Sequence, residues 1–339
     1  MNRIIEQQAE SAAAVWDLKK TRINGFFKNI WANSGMVVVY VVMFIACSVF
    51  VPYFFTLRNM IGLALSITTI GMIACTMMFI LAAGDLDLSV GSIVAFSGII
   101  AATVINQTGD VYIGALAGVI GGGAVGLLNG TLIAVFNLNP LICTLATMQI
   151  VRGGAMIVSD GIAIGITVPE FFALGNESVL GIPNPIWITI LIFIVFGILL
   201  NCTSYGKNIL AIGGNKEASR LAGINVSRMK NAAFTLQGFV CGIAGVILSS
   251  RMTSGQPNVA LGLELDVIAA CVLGGVSLLG GIATIEGLLA GVLIMGTVQN
   301  VLNLLNVETF YQYVVRGSIL IIAILLDQFK QHNQSAVMR

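Results

Sequence analysis

Two short acidic groups stand directly ahead of apolar runs: Asp85, Asp87 and Ser89 in AAGDLDLSVGS, and Glu264 and Asp266 in LELDVIAACVLGG. A carboxylate or hydroxyl at the start of a helix accepts from the unpaired N–H groups of the first turn and is favoured by the partial positive charge there. Both groups therefore suit turn fixing and capping, and equally a gate or a contact to a partner. Arg152, Arg316 and Glu286 fall inside apolar runs, where a charge faces protein or water, or snorkels to a nearby surface. Asn129, Thr144, Thr147, Gln149, Gln299 and Asn300 bring amides and hydroxyls to similar places. They can bond a polar solute in a pathway or simply tie one helix to the next.

Chemistry of other kinds has little to work with. The single histidine, His332, lies in a polar tail, so histidine triads and HExxH zinc sites lack a residue. The six cysteines occur singly in or beside apolar runs with no CxxC spacing, as small buried hydrophobes do. The Gly206-Lys207 pair is followed by Asn208 without an upstream Gly at Walker spacing, so this chain has no nucleotide loop of its own. No catalytic residue and no metal or cofactor site is expected.

The elements that must carry these residues follow from composition. Of 339 residues, 57% are hydrophobic and only 9% charged, against about 25% in soluble domains. The net charge of +1 gives no basis for binding nucleic acid. A crossing needs about 20 apolar residues, and the sequence predicts an all-α polytopic membrane bundle of about ten spans. They run over 35–55, 59–82, 88–105, 112–136, 141–158, 185–203, 231–249, 264–280, 284–305 and 310–327. Residues 1–34 form an N-terminal tail in which Ile23, Phe26, Phe27, Ile30 and Trp31 recur at the spacing of an interfacial helix, and 328–339 form a C-terminal tail. If both tails are cytoplasmic, the cytoplasmic segments hold Arg3, Lys19, Lys20, Arg22, Lys28, Lys207, Lys216, Arg220, Arg228, Lys230, Lys330 and Arg339, and the outer loops only Arg58 and Arg251. That imbalance is the positive-inside pattern.

Two stretches ending in Arg-Gly, at Gly153 and at Gly317, resemble each other, and the two acidic groups occupy matching places. The sequence thus predicts inverted five-span repeats, as in many transporters. Gly114, Gly118, Gly122, Gly126 and Gly130 recur every four residues and make a strip for close helix packing, within one subunit or between two.

Residues 204–230 make the one substantial cytoplasmic loop. Gly213-Gly214-Asn215 supplies a turn and an N-cap, Lys216 to Ala222 suits about two helical turns, and Gly223 can take the left-handed position that ends them. Glu217, Ala218, Ser219, Arg220 and Gly223 resemble the EAA-x-x-x-G signature of ABC importer permeases, with Ser219 in place of the second alanine; a loop that merely enforces topology is the other reading.

AAGDLDLSVGS, NPLICTLATMQIVRG, YGKNILAIGGNKEASRLAGI, ELDVIAACVLGGVSLLGG and GTVQN, between about Asn59 and Asp327, are similar to the sugar-importer permeases for ribose, xylose, galactose and arabinose, and most similar to the arabinose members. The resemblance implies an inner-membrane homodimer with a cytoplasmic ABC ATPase that binds ATP and Mg, and a periplasmic sugar-binding protein. It also implies that the loop at 215–223 couples to the ATPase. An ion-driven secondary transporter of a small polar solute and a passive channel are the competing classes. No mid-span carboxylate serves the first and no filter loop the second.

Overall fold

The computed structural model describes residues 35–337. The interfacial helix expected at 23–31 lies outside the described residues. Helices follow the apolar runs: α1 (Gly35–Phe50), α2 (Leu57–Ala82), α3 (Val90–Thr108), α4 (Val111–Ala134), α5 (Pro140–Val158), α6 (Phe172–Asn176), α7 (Asn184–Cys202), α8 (Ser204–Gly214), α9 (Lys216–Leu221), α10 (Val226–Met252), α11 (Leu263–Leu273), α12 (Ile285–Leu304) and α13 (Thr309–Val337). Their starts are encoded locally. Asp110 accepts from Tyr112 N and Ile113 N at the head of α4, Asn139 from Leu141 N and Ile142 N before Pro140 in α5, and Thr284 from Gly287 N in α12.

Among the described residues seven helices, α2, α3, α4, α5, α7, α10 and α12, are long and apolar enough to cross a bilayer, and α1 and the Thr309–Leu325 part of α13 are shorter apolar helices. The unbroken span expected over 264–280 is corrected. α11 stops at Leu273, and its 11 residues rise about 16 Å, half of the hydrocarbon thickness. The reason is conformational, since Gly275 takes a left-handed φ of 82° and the chain turns there although its composition stays apolar.

α10 lies at the centre, packed on α2, α3 and α4. The four-residue glycine strip of α4 faces inward. A side chain at Gly126 would strike Phe234 O and Gly238 of α10, and one at Gly118 would strike Ser97 O of α3 and Val246 of α10. The strip therefore serves packing within the subunit. On one end of the bundle the long loop after α5 is folded rather than loose. β1 (Ile164–Gly165) pairs antiparallel with β4 (Ser254–Gly255), β2 (Ser178–Val179) pairs with β3 (Ile182–Pro183), and Asn106 at the end of α3 donates to Gly165 O (2.7 Å) while accepting from Thr167 N.

α3 starts deep in the bundle. Lys230, in the second turn of α10, pairs with Asp85, while Gly245 of the same helix abuts Val94 of α3. The helix rises about 22 Å between those two points. Residues 85–89 cover part of that distance as non-helical chain before α3 begins. From the opposite end, the segment after α10 descends beside α3, with Gly255 against Gly98 and Ala102, and Ala260 against Gly91. Two helix N-termini, those of α3 and α11, thereby meet inside the bundle.

Candidate functional site

At the head of α3, Asp87 is fully buried, and its Oδ1 accepts from Ser89 N (2.8 Å) and Ser89 Oγ (2.6 Å). Asn129 of α4 donates its amide to Ser89 Oγ at 2.9 Å. Ser89 is itself in the helical region and caps nothing with its side chain; Asp87 holds the turn instead. Cys241, at the middle of α10, lies within electrostatic reach of Asp87 and accepts weakly from Gln237 Nε2 (3.7 Å). Three buried acceptors here have no protein donor: Asp87 Oδ2, Asn129 Oδ1 and Gln237 Oε1. Buried acceptors require donors, and at these three atoms no protein group supplies one. Gln237, fully buried, was not among the residues singled out from sequence; its signal is an amide in an otherwise apolar part of α10.

At the head of α11, Asp266 Oδ2 accepts from Arg316 of α13 (3.1 Å) and Gln299 of α12 (3.2 Å). Glu264, half-buried, lies against the position a side chain would take at Gly91 and within reach of the Arg152 charge. Arg152 of α5 is buried and its Nη1 donates to Pro257 O (2.6 Å) and Val259 O (2.8 Å), clamping the descending segment. The structure thus draws Asp87, Ser89, Asn129, Arg152 and Glu264 together at the junction of the two N-termini. Arg316 and Asp266 form a second group that adjoins Glu264 on α11.

Other candidates lie apart. Asn300 and Asn59 exchange reciprocal amide bonds of 2.9 and 3.0 Å that tie α12 to α2. Thr144 and Thr147 bond back to carbonyls of their own helix. Gln149 is exposed on the perimeter of α5, and Glu286 is exposed in the first turn of α12. Asp85 is turned to the end of the bundle, where its Oδ1 lies 2.7 Å from Lys230 Nζ in a buried ion pair. Burial pushes its carboxyl above the ordinary range, against the pull of Lys230.

That end also carries the short helix expected in the 204–230 loop. Asn215 Oδ1 accepts from Ala218 N (2.9 Å), α9 runs for six residues, and Gly223 ends it at φ 85°. Gly213 and Gly214 are not a free turn, as expected from sequence, but the last turn of α8. Gly213 sits against Ala82 O and Gly281, and Gly281 N donates to Ala82 O at 2.9 Å. α8 therefore bears on the end of α2 and on the loop joining α11 to α12. Leu221, 87% exposed at the tip of a polar helix, is an apolar contact point that sequence reasoning passed over. Beside α9 opens a cavity of about 940 Å3, charged by Asp85, Lys216, Glu217, Arg220 and Lys230.

A bundle of long apolar helices in which two helix N-termini meet around buried polar groups has the features of a membrane transport subunit. The chain belongs to the family described as the permease component of branched-chain amino acid transport systems, whose model matches residues 59–324. Among its relatives are the L-arabinose ABC transporter permease protein AraH of Azospirillum brasilense, 53% identical over 99% of each chain, and the L-arabinose transport system permease protein AraH of Escherichia coli K12, 56% identical over 92% of this chain and 95% of the relative. The ribose import permease protein RbsC of Bacillus subtilis is 39% identical over 92% of this chain and 96% of its own. No solved structure matches.

Proposed function

We propose that this chain is the membrane-spanning subunit of an ATP-driven, binding-protein-dependent importer of L-arabinose. The observation that carries the reading is identity above one half, over nearly the whole chain, to two permeases named for that sugar. The chemistry of the site supports it. A pentose presents several O–H donors, and the bundle interior presents acceptors without donors in Asp87, Asn129 and Gln237.

In this reading the subunit crosses an inner membrane ten times, the seven long spans being completed by α1, by α13 and by α11 together with the segment that descends to it beside α3, and both tails are cytoplasmic. Its halves are inverted repeats, α2 to α5 matching α10 to α13. What supports this is that α3 and α11 are both preceded by non-helical segments and that each has acidic groups at its head. Two copies assemble with a cytoplasmic ABC ATPase, which holds the ATP and Mg, and with a periplasmic protein that delivers sugar. α9 docks on the ATPase, and α8 passes the movement to α2 and to the α11–α12 loop, so that nucleotide state biases which side of the bundle is open.

Proteoliposomes holding the full chain, its ATPase and a pentose-binding protein test this with labelled L-arabinose. Uptake requires all three components and ATP. Accumulation driven by a proton or sodium gradient with the ATPase left out overturns the reading, and ATP-driven uptake of ribose but not arabinose replaces the substrate.

A further inference from the structure

Between α7, α8, α10 and the end of α4 lies a groove of about 590 Å3, at the end of the bundle where α10 begins. Its uncharged polar side chains are already spent on protein. Tyr205 donates to Met229 O, Ser227 to Ala134 O (2.6 Å), Asn231 to Thr131 Oγ1 (3.2 Å) and Thr235 to Asn231 O (2.8 Å). What the groove offers a ligand is hydrocarbon, chiefly Leu236 and the 38%-exposed Phe239, and one exposed guanidinium, Arg228, with no acidic partner among the described residues.

The position of Arg228 sets what can reach both parts at once. α10 has 27 residues and a length of about 40 Å, so its ends project beyond about 30 Å of hydrocarbon. Arg228, in its first turn, stands at the level of lipid headgroups, while Leu236 and Phe239, two to three turns further, stand among acyl chains. A ligand that fits has a negative head and an apolar tail one below the other.

We propose that this groove is a binding site for one anionic phospholipid of the surrounding bilayer, with its phosphate at Arg228 and an acyl chain along Leu236 and Phe239. A zwitterionic lipid brings its own cation beside the phosphate and gains less from the guanidinium. The net charge of the headgroup therefore decides the preference.

The test is native mass spectrometry of the full-length protein released from nanodiscs of equal phosphatidylglycerol and phosphatidylcholine. One phosphatidylglycerol stays bound at activation energies that strip phosphatidylcholine. Arg228→Gln lowers its retention about fivefold, the value of one basic contact, while Lys207→Gln, exposed on the same end but outside the groove, leaves it unchanged. Ala232→Phe fills the groove and abolishes retention, and unaltered melting of both groove variants in phosphatidylcholine shows that they fold. Equal retention of the two lipids, or retention unaffected by R228Q or A232F, overturns the site. So does efficient disulfide formation between copies of the F239C protein, which would assign the groove to a second copy of the chain.

Discussion

Gly91, in the first turn of α3, lies against the carboxylate of Glu264, in the first turn of α11. One residue enters the bundle from each end, and the absence of a side chain at Gly91 lets the two helix heads meet. A Cβ there would also strike Ala260 O. Gly91→Val therefore forces the heads apart, at a cost of about 1–3 kcal/mol for overpacking. The expected result is a lower Tm and loss of uptake at normal membrane levels; wild-type uptake by this variant would separate the junction from transport.

Asp87→Asn keeps the Oδ1 acceptor for Ser89 and replaces the buried Oδ2, which has no protein donor, with an amide nitrogen. The variant should melt no lower than wild type, yet lose at least about tenfold in uptake, the equivalent of one charge-assisted hydrogen bond to substrate. Melting curves with uptake on the same preparations decide it, and unchanged uptake would leave Asp87 as a turn residue only.

The Asp85–Lys230 pair is buried, so removing one partner strands a charge. Lys230→Met should cost about 3–5 kcal/mol, and the Asp85→Asn, Lys230→Met double variant should recover most of it. The pH dependence has a definite sign. The folded Asp85 carboxyl titrates above its unfolded value. Its stabilising contribution is fully present below the unfolded value and is lost as pH rises through the folded one. Without Lys230 to pull it down, that loss moves to higher pH in K230M and vanishes in the double variant, as melting from acid to neutral pH will show.

Gly223 ends α9 at a φ that a β-branched side chain resists, Glu217 gives the helix its first-turn charge, and Leu221 is its exposed apolar contact. Gly223→Val, Glu217→Lys and Leu221→Asp should each abolish ATP-dependent uptake and stimulation of the ATPase without lowering the amount of permease in the membrane. Co-purification of the ATPase at wild-type yield with all three would return this loop to a topological role.

Reporter fusions after residues 175 and 215 should read outside and inside. The same side for both, or the reverse, contradicts the orientation drawn from the Lys and Arg distribution.

Local spacing determined much of this protein. Apolar runs of about twenty residues, Asp110 and Asn139 as caps, the left-handed Gly223 and the four-residue glycine strip of α4 are each decided by neighbours within a turn or two. Their energies are local, and the sequence displays them directly. Hydropathy failed at α11 because it scores solvent preference and not backbone hydrogen bonding; the stretch after Leu273 stays apolar while Gly275 turns the chain.

Only the tertiary structure decided that Lys230, counted from sequence as a loop cation, neutralises Asp85 across 145 residues of chain, that Gln149 looks outward while Gln237 is sealed inside, and that Gly91 meets Glu264. A polar residue in an apolar helix can face lipid, a neighbour or the interior at the same sequence spacing. Which of these it faces depends on how helices distant in the chain cross and on where a non-helical segment interrupts them, and that follows from the packing of the whole bundle.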